Sequence, residues 1–80
     1  MDFQELERRF IENLKNRIRS GELTERGLAR LAGISQPHVH NVLKGKRIFS
    51  LPAADQIVRA LHLDLLELIS PEEIDRIRRR

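Results

Sequence analysis

A single glycine between two short apolar-striped segments constrains this chain more than any other feature. Residues 24–46 read TERGLARLAGISQPHVHNVLKGK, and apolar residues recur three or four positions apart on both sides of Gly33. They are Leu28, Leu31 and Ala32 before the glycine, and Val39, Val42 and Leu43 after it. This spacing predicts a helix on each side. Gly33 suits the end of the first helix because only glycine adopts a positive φ without steric cost.

The second helix of this pair has its own start signals. Ser35 is a natural N-cap, and Pro37 is tolerated in the first turn. Ala29 is small at the position where the two helices would have to cross closely. Two short helices joined by such a turn form the helix-turn-helix pattern, here residues 24–45, in which the second helix enters the DNA major groove. We therefore predict a recognition helix over residues 36–44.

Amphipathic segments flank this pair on both sides. A long helix is predicted over Asp2–Arg19, and its two phenylalanines, Phe3 and Phe10, are expected in the core. Its apolar stripe comprises Phe3, Leu6, Phe10, Ile11, Leu14 and Ile18. After the pair, Ser50 is the expected N-cap of another helix, with Pro52 in its first turn. The buried stripe of that helix is predicted to comprise Leu51, Ala54, Ile57, Val58 and Leu61.

The C-terminal part of the sequence predicts two further short helices. Residues 65–69 are mostly aliphatic and predict a compact core helix. Ser70, Pro71 and Glu73 then form a strong helix start, with an N-cap, a proline at N1 and a glutamate at N3. The complete pattern predicts one all-α domain over residues 1–80, with five helices and a short extra helix at its C-terminal end.

Composition excludes several classes of protein. The chain has 80 residues and no Cys, so neither disulfides nor thiol chemistry support its fold. The first ten residues, MDFQELERRF, lack the long apolar run of a signal peptide or a transmembrane helix, and we expect a cytoplasmic protein. With only three aromatic residues, the chain is poorly suited to binding single strands by stacking on their bases.

The positive charge is concentrated in one part of the chain. The formal net charge is +3, but residues 24–47 hold five basic residues against one acidic residue. Acidic and basic residues nearly balance in the segments before and after this stretch. The excess charge therefore coincides with the predicted helix-turn-helix and its exit loop, where a polyanion would lie.

The spacing of these residues resembles the phage repressor and Cro family of DNA-binding domains, the xenobiotic-response-element type. The resemblance covers about residues 23–68. It is carried by Leu28-Ala29, Gly33, Val39 with Val42, Gly45-Lys46-Arg47, Ser50-Leu51, Ile57, Ala60-Leu61 and Leu63. The resemblance implies a sequence-specific regulator of transcription, most often a repressor, that binds double-stranded DNA. It implies no cofactor.

The resemblance also implies which residues read bases. The outward positions of the recognition helix in such proteins correspond here to Gln36, Pro37 and Asn41. Gln and Asn each present a donor and an acceptor that match adenine in the major groove, and proline can contact a thymine methyl group. His38 could contact a base or a phosphate, or His38 and His40 could simply face water. The two histidines are two residues apart, which does not favour a metal site.

Phosphate contacts are expected at the start of the second helix and around the end of the recognition helix. The candidates are Thr24, Glu25, Ser35, His40, Lys44, Lys46 and Arg47. Glu25 departs from the family pattern, because relatives often carry Gln there and DNA repels a carboxylate. Glu25 could pair with a basic neighbour or point away. His62 also departs, since the family often has Gly there, and either the backbone is less left-handed or His tolerates the conformation.

Two questions of assembly stay open in the sequence. Relatives usually bind as two-fold dimers on inverted half-sites, and residues 70–80 are the candidate dimer surface, with Ile74 and Ile77 as its apolar contacts. Alternatively, both isoleucines pack on the domain's own helices. A second function class is an antitoxin or adaptor that uses the same fold to bind a protein partner. An enzyme is not indicated, because the sequence has no catalytic or metal-ligand pattern.

Overall fold

The described residues form an all-helical domain. The computed structural model describes residues 2–64 and 68, and these contain four helices and no strand. The helices are α1 (Phe3–Arg19), α2 (Glu25–Ala32), α3 (Gln36–Leu43) and α4 (Leu51–Ala60). The predicted all-α class is confirmed for these residues. The predicted helices over 65–69 and 70–80 lie outside the described residues, apart from Leu68. None of the described helices has the length and apolar character to cross a membrane.

Each helix begins at a side chain that caps it. The side-chain oxygens of Asp2, Thr24, Ser35 and Ser50 accept hydrogen bonds from the amides of Glu5, Gly27, His38 and Ala53, respectively. The caps predicted at Thr24, Ser35 and Ser50 are confirmed. Such caps satisfy amides that have no acceptor within the helix, and each stabilises the fold by about 1 kcal/mol.

The turns place two residues of interest in the left-handed region. Gly33 ends α2 with φ 70°, as predicted, and the amide of Ile34 donates to the Ala29 carbonyl at 3.0 Å. His62 follows α4 with φ 53°, which is the positive φ of a non-glycine residue. Of the two alternatives for His62, the structure shows that histidine adopts the left-handed conformation, at a cost of roughly 1–2 kcal/mol relative to an unstrained backbone.

The core lies where α2 meets its neighbours. α2 packs against both α3 and α4. Leu14, Leu28, Val39 and Ile57, one from each helix, are the largest fully buried side chains. Ala29 is also buried, as expected for a small residue where helices approach closely. These contacts fix the angle between α2 and α3, and with it the position of the predicted recognition helix.

Two predicted core residues are in fact exposed. Phe3 is 62% exposed and Leu51 is 74% exposed, whereas Phe10 and Ile57 on the same helices are buried. Both exposed residues lie at the N-terminal ends of their helices. Periodicity identified the apolar face of each helix correctly, but it does not show how far along a helix the packing partners extend.

Candidate nucleic-acid interface

The recognition helix divides into a buried face and an outward face. Val39 is fully buried, and Val42 and Leu43 are nearly so. Gln36 and Pro37 are exposed at the start of α3, and Asn41 is half-buried one turn after Pro37. At four residues apart, Pro37 and Asn41 share one side of the helix. The predicted base readers are therefore together at the outer side and N-terminal end of α3.

The start of α2 presents backbone donors. The first hydrogen bond within the helix runs from the Leu28 amide to the Thr24 carbonyl, at 2.8 Å. The Thr24 hydroxyl accepts from the Gly27 amide at 2.9 Å. The amides of Glu25 and Arg26 lie between Thr24 and these two donors, and helix geometry leaves such amides free for an anion. This end of α2 can therefore bind a phosphate through its backbone.

Gly27 lies directly against that cap. A Cβ atom added at Gly27 would be 3.1 Å from the Thr24 hydroxyl oxygen and 3.8 Å from a methyl group of Leu23. Glycine inside a helix costs about 1 kcal/mol relative to alanine. Because Gly27 has no side chain, the Thr24 hydroxyl has room to cap α2. This contact explains why glycine occupies the position despite its cost in a helix.

Glu25 and His40 connect the two helices. The Glu25 Oε1 atom lies 3.3 Å from the Nδ1 atom of His40, and the two side chains are 32% and 52% exposed. Of the alternatives for Glu25, the structure therefore supports pairing with a basic neighbour. His40 is exposed but engaged in this contact. The pair joins the first residue of α2 to the recognition helix, and it gives the carboxylate a partner at the surface.

Three basic residues share a surface pocket with this pair. Lys15 and Arg19 from the last part of α1 line the same open surface pocket as Glu25, His40 and Lys44. Cations in the last part of a helix also suit the negative end of its dipole. The four-residue spacing of Lys15 and Arg19 places them on one side of α1, but nothing in the sequence showed that this side faces the start of α2. The local potential near Glu25 is therefore less negative than its carboxylate alone would make it.

Backbone hydrogen bonds fix the position of two basic residues at the exit of α3. The amides of Lys46 and Arg47 both donate to the Asn41 carbonyl, at 2.8 and 3.3 Å, after a turn at Gly45 with φ 81°. The side chains of Lys44, Lys46 and Arg47 are exposed. The backbone of Asn41 thus fixes the exit loop, while its side chain is part of the outward face. We call Gln36, Pro37, Asn41, Lys44, Lys46 and Arg47 the recognition surface.

His38 has one buried ring nitrogen, and Ser35 uses its hydroxyl oxygen to cap α3. The Nε2 atom of His38 is buried, and it has no hydrogen-bond partner among the described residues. The simple picture of a ring facing water does not fit this nitrogen. The Ser35 hydroxyl accepts from the His38 amide at 3.2 Å, which leaves its own O–H free to donate. The Thr24 hydroxyl likewise accepts from a backbone amide and keeps its own O–H free to donate. Within the described part of the chain, no cluster of three or more His, Cys, Asp or Glu side chains could hold a metal ion.

The arrangement of α2 and α3, with a polar outward face and a basic exit, defines a helix-turn-helix module. A family model described as "Helix-turn-helix domain" matches residues 9–76. The chain belongs to this family, which comprises DNA-binding domains and is typically non-enzymatic. Comparison with curated proteins and with solved structures finds no match.

Proposed function

We propose that this protein is a sequence-specific regulator of transcription, of the phage repressor and Cro type, that acts as a repressor in the cytoplasm. In this proposal α3 lies in the major groove of double-stranded DNA. The observation that carries it is the recognition surface, where three outward side chains of α3 lie beside an exit loop whose two basic residues donate their backbone amides to the Asn41 carbonyl. A helix with both features can read base edges and anchor itself to the backbone.

Base readout is assigned to the outward face of α3. Gln36 and Asn41 can each donate and accept to the N6 and N7 atoms of adenine, and Pro37 can contact a thymine methyl group. His38 could take part only through its other ring nitrogen, because its Nε2 atom is buried. Direct readout by this helix is therefore narrow and favours A·T pairs.

Phosphate binding is assigned to both ends of the helix pair. The free amides at the start of α2 and the hydroxyls of Thr24 and Ser35 face one strand in this proposal. Lys44, Lys46 and Arg47 anchor the other end, and His40, whose Nδ1 atom contacts Glu25, could add a contact through its other ring nitrogen. Cations that neutralise phosphates release counterions, so the affinity should fall steeply as the salt concentration rises.

Binding as two copies is part of the proposal. Pairing on inverted half-sites about one helical turn apart would double the phosphate contacts of a small domain. The residues predicted to join two copies, Ile74 and Ile77, lie outside the described residues. Their other possible place, against the domain's own helices, does not affect the proposed use of α3.

Salt dependence tests the proposal directly. A fluorescein-labelled duplex of mixed sequence is titrated with the protein at several salt concentrations, and the anisotropy gives the dissociation constants. Lys46→Ala should lower the slope of log affinity against log salt by about 1 unit, because one phosphate contact is lost. Arg8→Ala removes the same charge from α1, outside the recognition surface, and is the matched control. Binding that does not respond to salt would contradict the proposal.

A protein-binding role is the second candidate function. The exposure of Phe3, Ile48 and Leu51 favours it, because contiguous exposed apolar residues often mark interaction sites. Glu25 at the start of α2 also favours a partner other than DNA. Co-purification with a tightly bound protein, unaffected by substitution of Gln36 and Asn41, would support an antitoxin or adaptor.

A further inference from the structure

The largest exposed apolar side chains of the described residues face one groove. Phe3, Ile48 and Leu51 are 62%, 73% and 74% exposed, and all three line a groove of about 330 Å³. α1 forms one wall, α4 forms the other, and the loop after α3 closes one end. Val58 and Leu68 also line it. We call this feature the apolar groove.

Leu68, the last residue that the structure describes, lies at the apolar groove. Leu68 lines the groove, and its carbonyl accepts a hydrogen bond from the Arg9 Nη1 atom at 3.0 Å. Leu68, the residue that precedes the C-terminal segment 69–80, therefore lies beside α1 at the groove. Only Ile69 and Ser70 separate Leu68 from Pro71, where the sequence has its strong helix start. A segment attached so closely needs little extra loop-closure entropy to reach the groove.

The composition of that segment matches the groove. Ile74 and Ile77 are three residues apart and would share one face of a helix. The same segment carries four arginines, at positions 76, 78, 79 and 80, and three acidic residues, at positions 72, 73 and 75, so its net charge is +1. Glu7, Asp55 and Arg47 line the groove, and Asp55 also pairs with Arg59. The match therefore rests on the apolar side chains of the segment, and the net charge adds little to it.

We propose that residues 69–80 lie over the apolar groove of the same chain, with Ile74 and Ile77 against Phe3, Ile48 and Leu51. The occupant is the chain's own C-terminal segment and not a second copy or another protein. This assigns the two isoleucines to the domain's own surface. The proposal is independent of DNA binding, and it leaves the pairing of two copies to a surface other than Ile74 and Ile77.

A double-mutant cycle in the full chain tests this interface. Leu51→Asp, Ile77→Asp and the double variant are compared by thermal unfolding. Gln36→Asp is the matched control, because Gln36 and Leu51 are each exposed, follow a capping serine, precede a proline and begin a helix. We expect each test substitution to lower the midpoint by about 5 °C. The double variant should lose little more than the larger single effect, whereas Gln36→Asp should shift the midpoint far less.

The result that would overturn the proposal is equally specific. Additive effects, or a Leu51→Asp shift equal to that of Gln36→Asp, would show that residues 69–80 do not cover the groove. A midpoint that rises with protein concentration, with a dimeric mass that Ile77→Asp abolishes, would assign the groove to a second copy.

Cross-linking provides a second measurement that does not depend on the stability of the variants. The chain has no Cys, so Ile48→Cys with Ile77→Cys introduces a single pair of thiols. Mild oxidation should form a disulfide within one chain at a yield that does not change on dilution. A disulfide between chains, or none, would overturn the proposal. None of these readouts involves DNA, so they are separate from the test of DNA binding.

Discussion

The recognition surface and the apolar groove are both exposed, but they expose opposite chemistry. Gln36, Lys46 and Arg47 keep their polar groups in water, and exposure costs them little. Phe3 and Leu51 expose apolar area, which water disfavours by about 25 cal/mol per Å². The recognition surface is therefore stable in water without a partner. The apolar groove, in contrast, gains stability when another segment buries it. Exposure alone therefore does not define function, and the chemistry of the exposed atoms separates the two surfaces.

The largest predicted effect is a loss of base discrimination when a residue of the recognition surface is replaced, and measuring it would sharpen this comparison. Asn41→Ala removes the proposed adenine contact but keeps the backbone carbonyl that holds Lys46 and Arg47. We expect a loss of about 1–3 kcal/mol in discrimination at one base position, with little change in the salt slope. Competition between duplexes that differ at one position measures it. An equal loss on every duplex would assign Asn41 to a structural role.

The left-handed turns at Gly33 and His62 give the next largest effect. Gly33→Ala should lower the free energy of unfolding by about 1–2 kcal/mol, because alanine is strained at φ 70°. The added Cβ would lie 3.5 Å from the Gln56 side chain, which is an ordinary contact, so the cost is in the backbone. His62→Gly should raise the free energy of unfolding by about 0.5–1 kcal/mol by the reverse argument. Urea denaturation of both variants measures the pair, and shifts of the same sign would contradict this explanation.

The smallest effect concerns Glu25, one of the two residues that depart from the family pattern. Glu25→Gln removes a negative charge beside the proposed DNA backbone while its amide can still bond to His40. We expect DNA affinity to rise by about threefold at low salt, with almost unchanged stability, as for a partly exposed charge. Glu22→Gln removes the same charge before the cap of α2 and is the control. An affinity that falls would mean that the carboxylate itself holds the recognition helix in place.

The sequence predicted the caps and turn of the helix-turn-helix better than the exposure at the apolar groove, for a physical reason. Caps and left-handed turns are local, so Thr24, Ser35, Ser50 and Gly33 could be identified from neighbouring residues alone. The Glu25–His40 contact depends on the packing of α2 against α3, and only its general possibility was visible in the sequence.

The exposure of Phe3 and Leu51 could not be predicted from periodicity. A helical stripe shows which side of a helix is apolar, but packing between distant segments decides which part of the stripe is covered. The same limit applies to Lys15 and Arg19, whose proximity to Glu25 arises from the way α1 lies beside α2 and α3. Caps and turns, which depend on neighbouring residues, were therefore easier to predict than the burial of a side chain, which depends on packing between helices.

Selection from a random duplex library tests the central claim most directly, since it needs no knowledge of the operator. The 80-residue chain should enrich a sequence with A·T pairs in each half-site, arranged as an inverted repeat with centres about 10 base pairs apart. The double variant Gln36→Ala with Asn41→Ala should lose that sequence while it retains salt-dependent binding to mixed duplex. Failure of the wild-type protein to enrich any sequence, or an identical enriched sequence from the double variant, would contradict the assignment of base readout to α3.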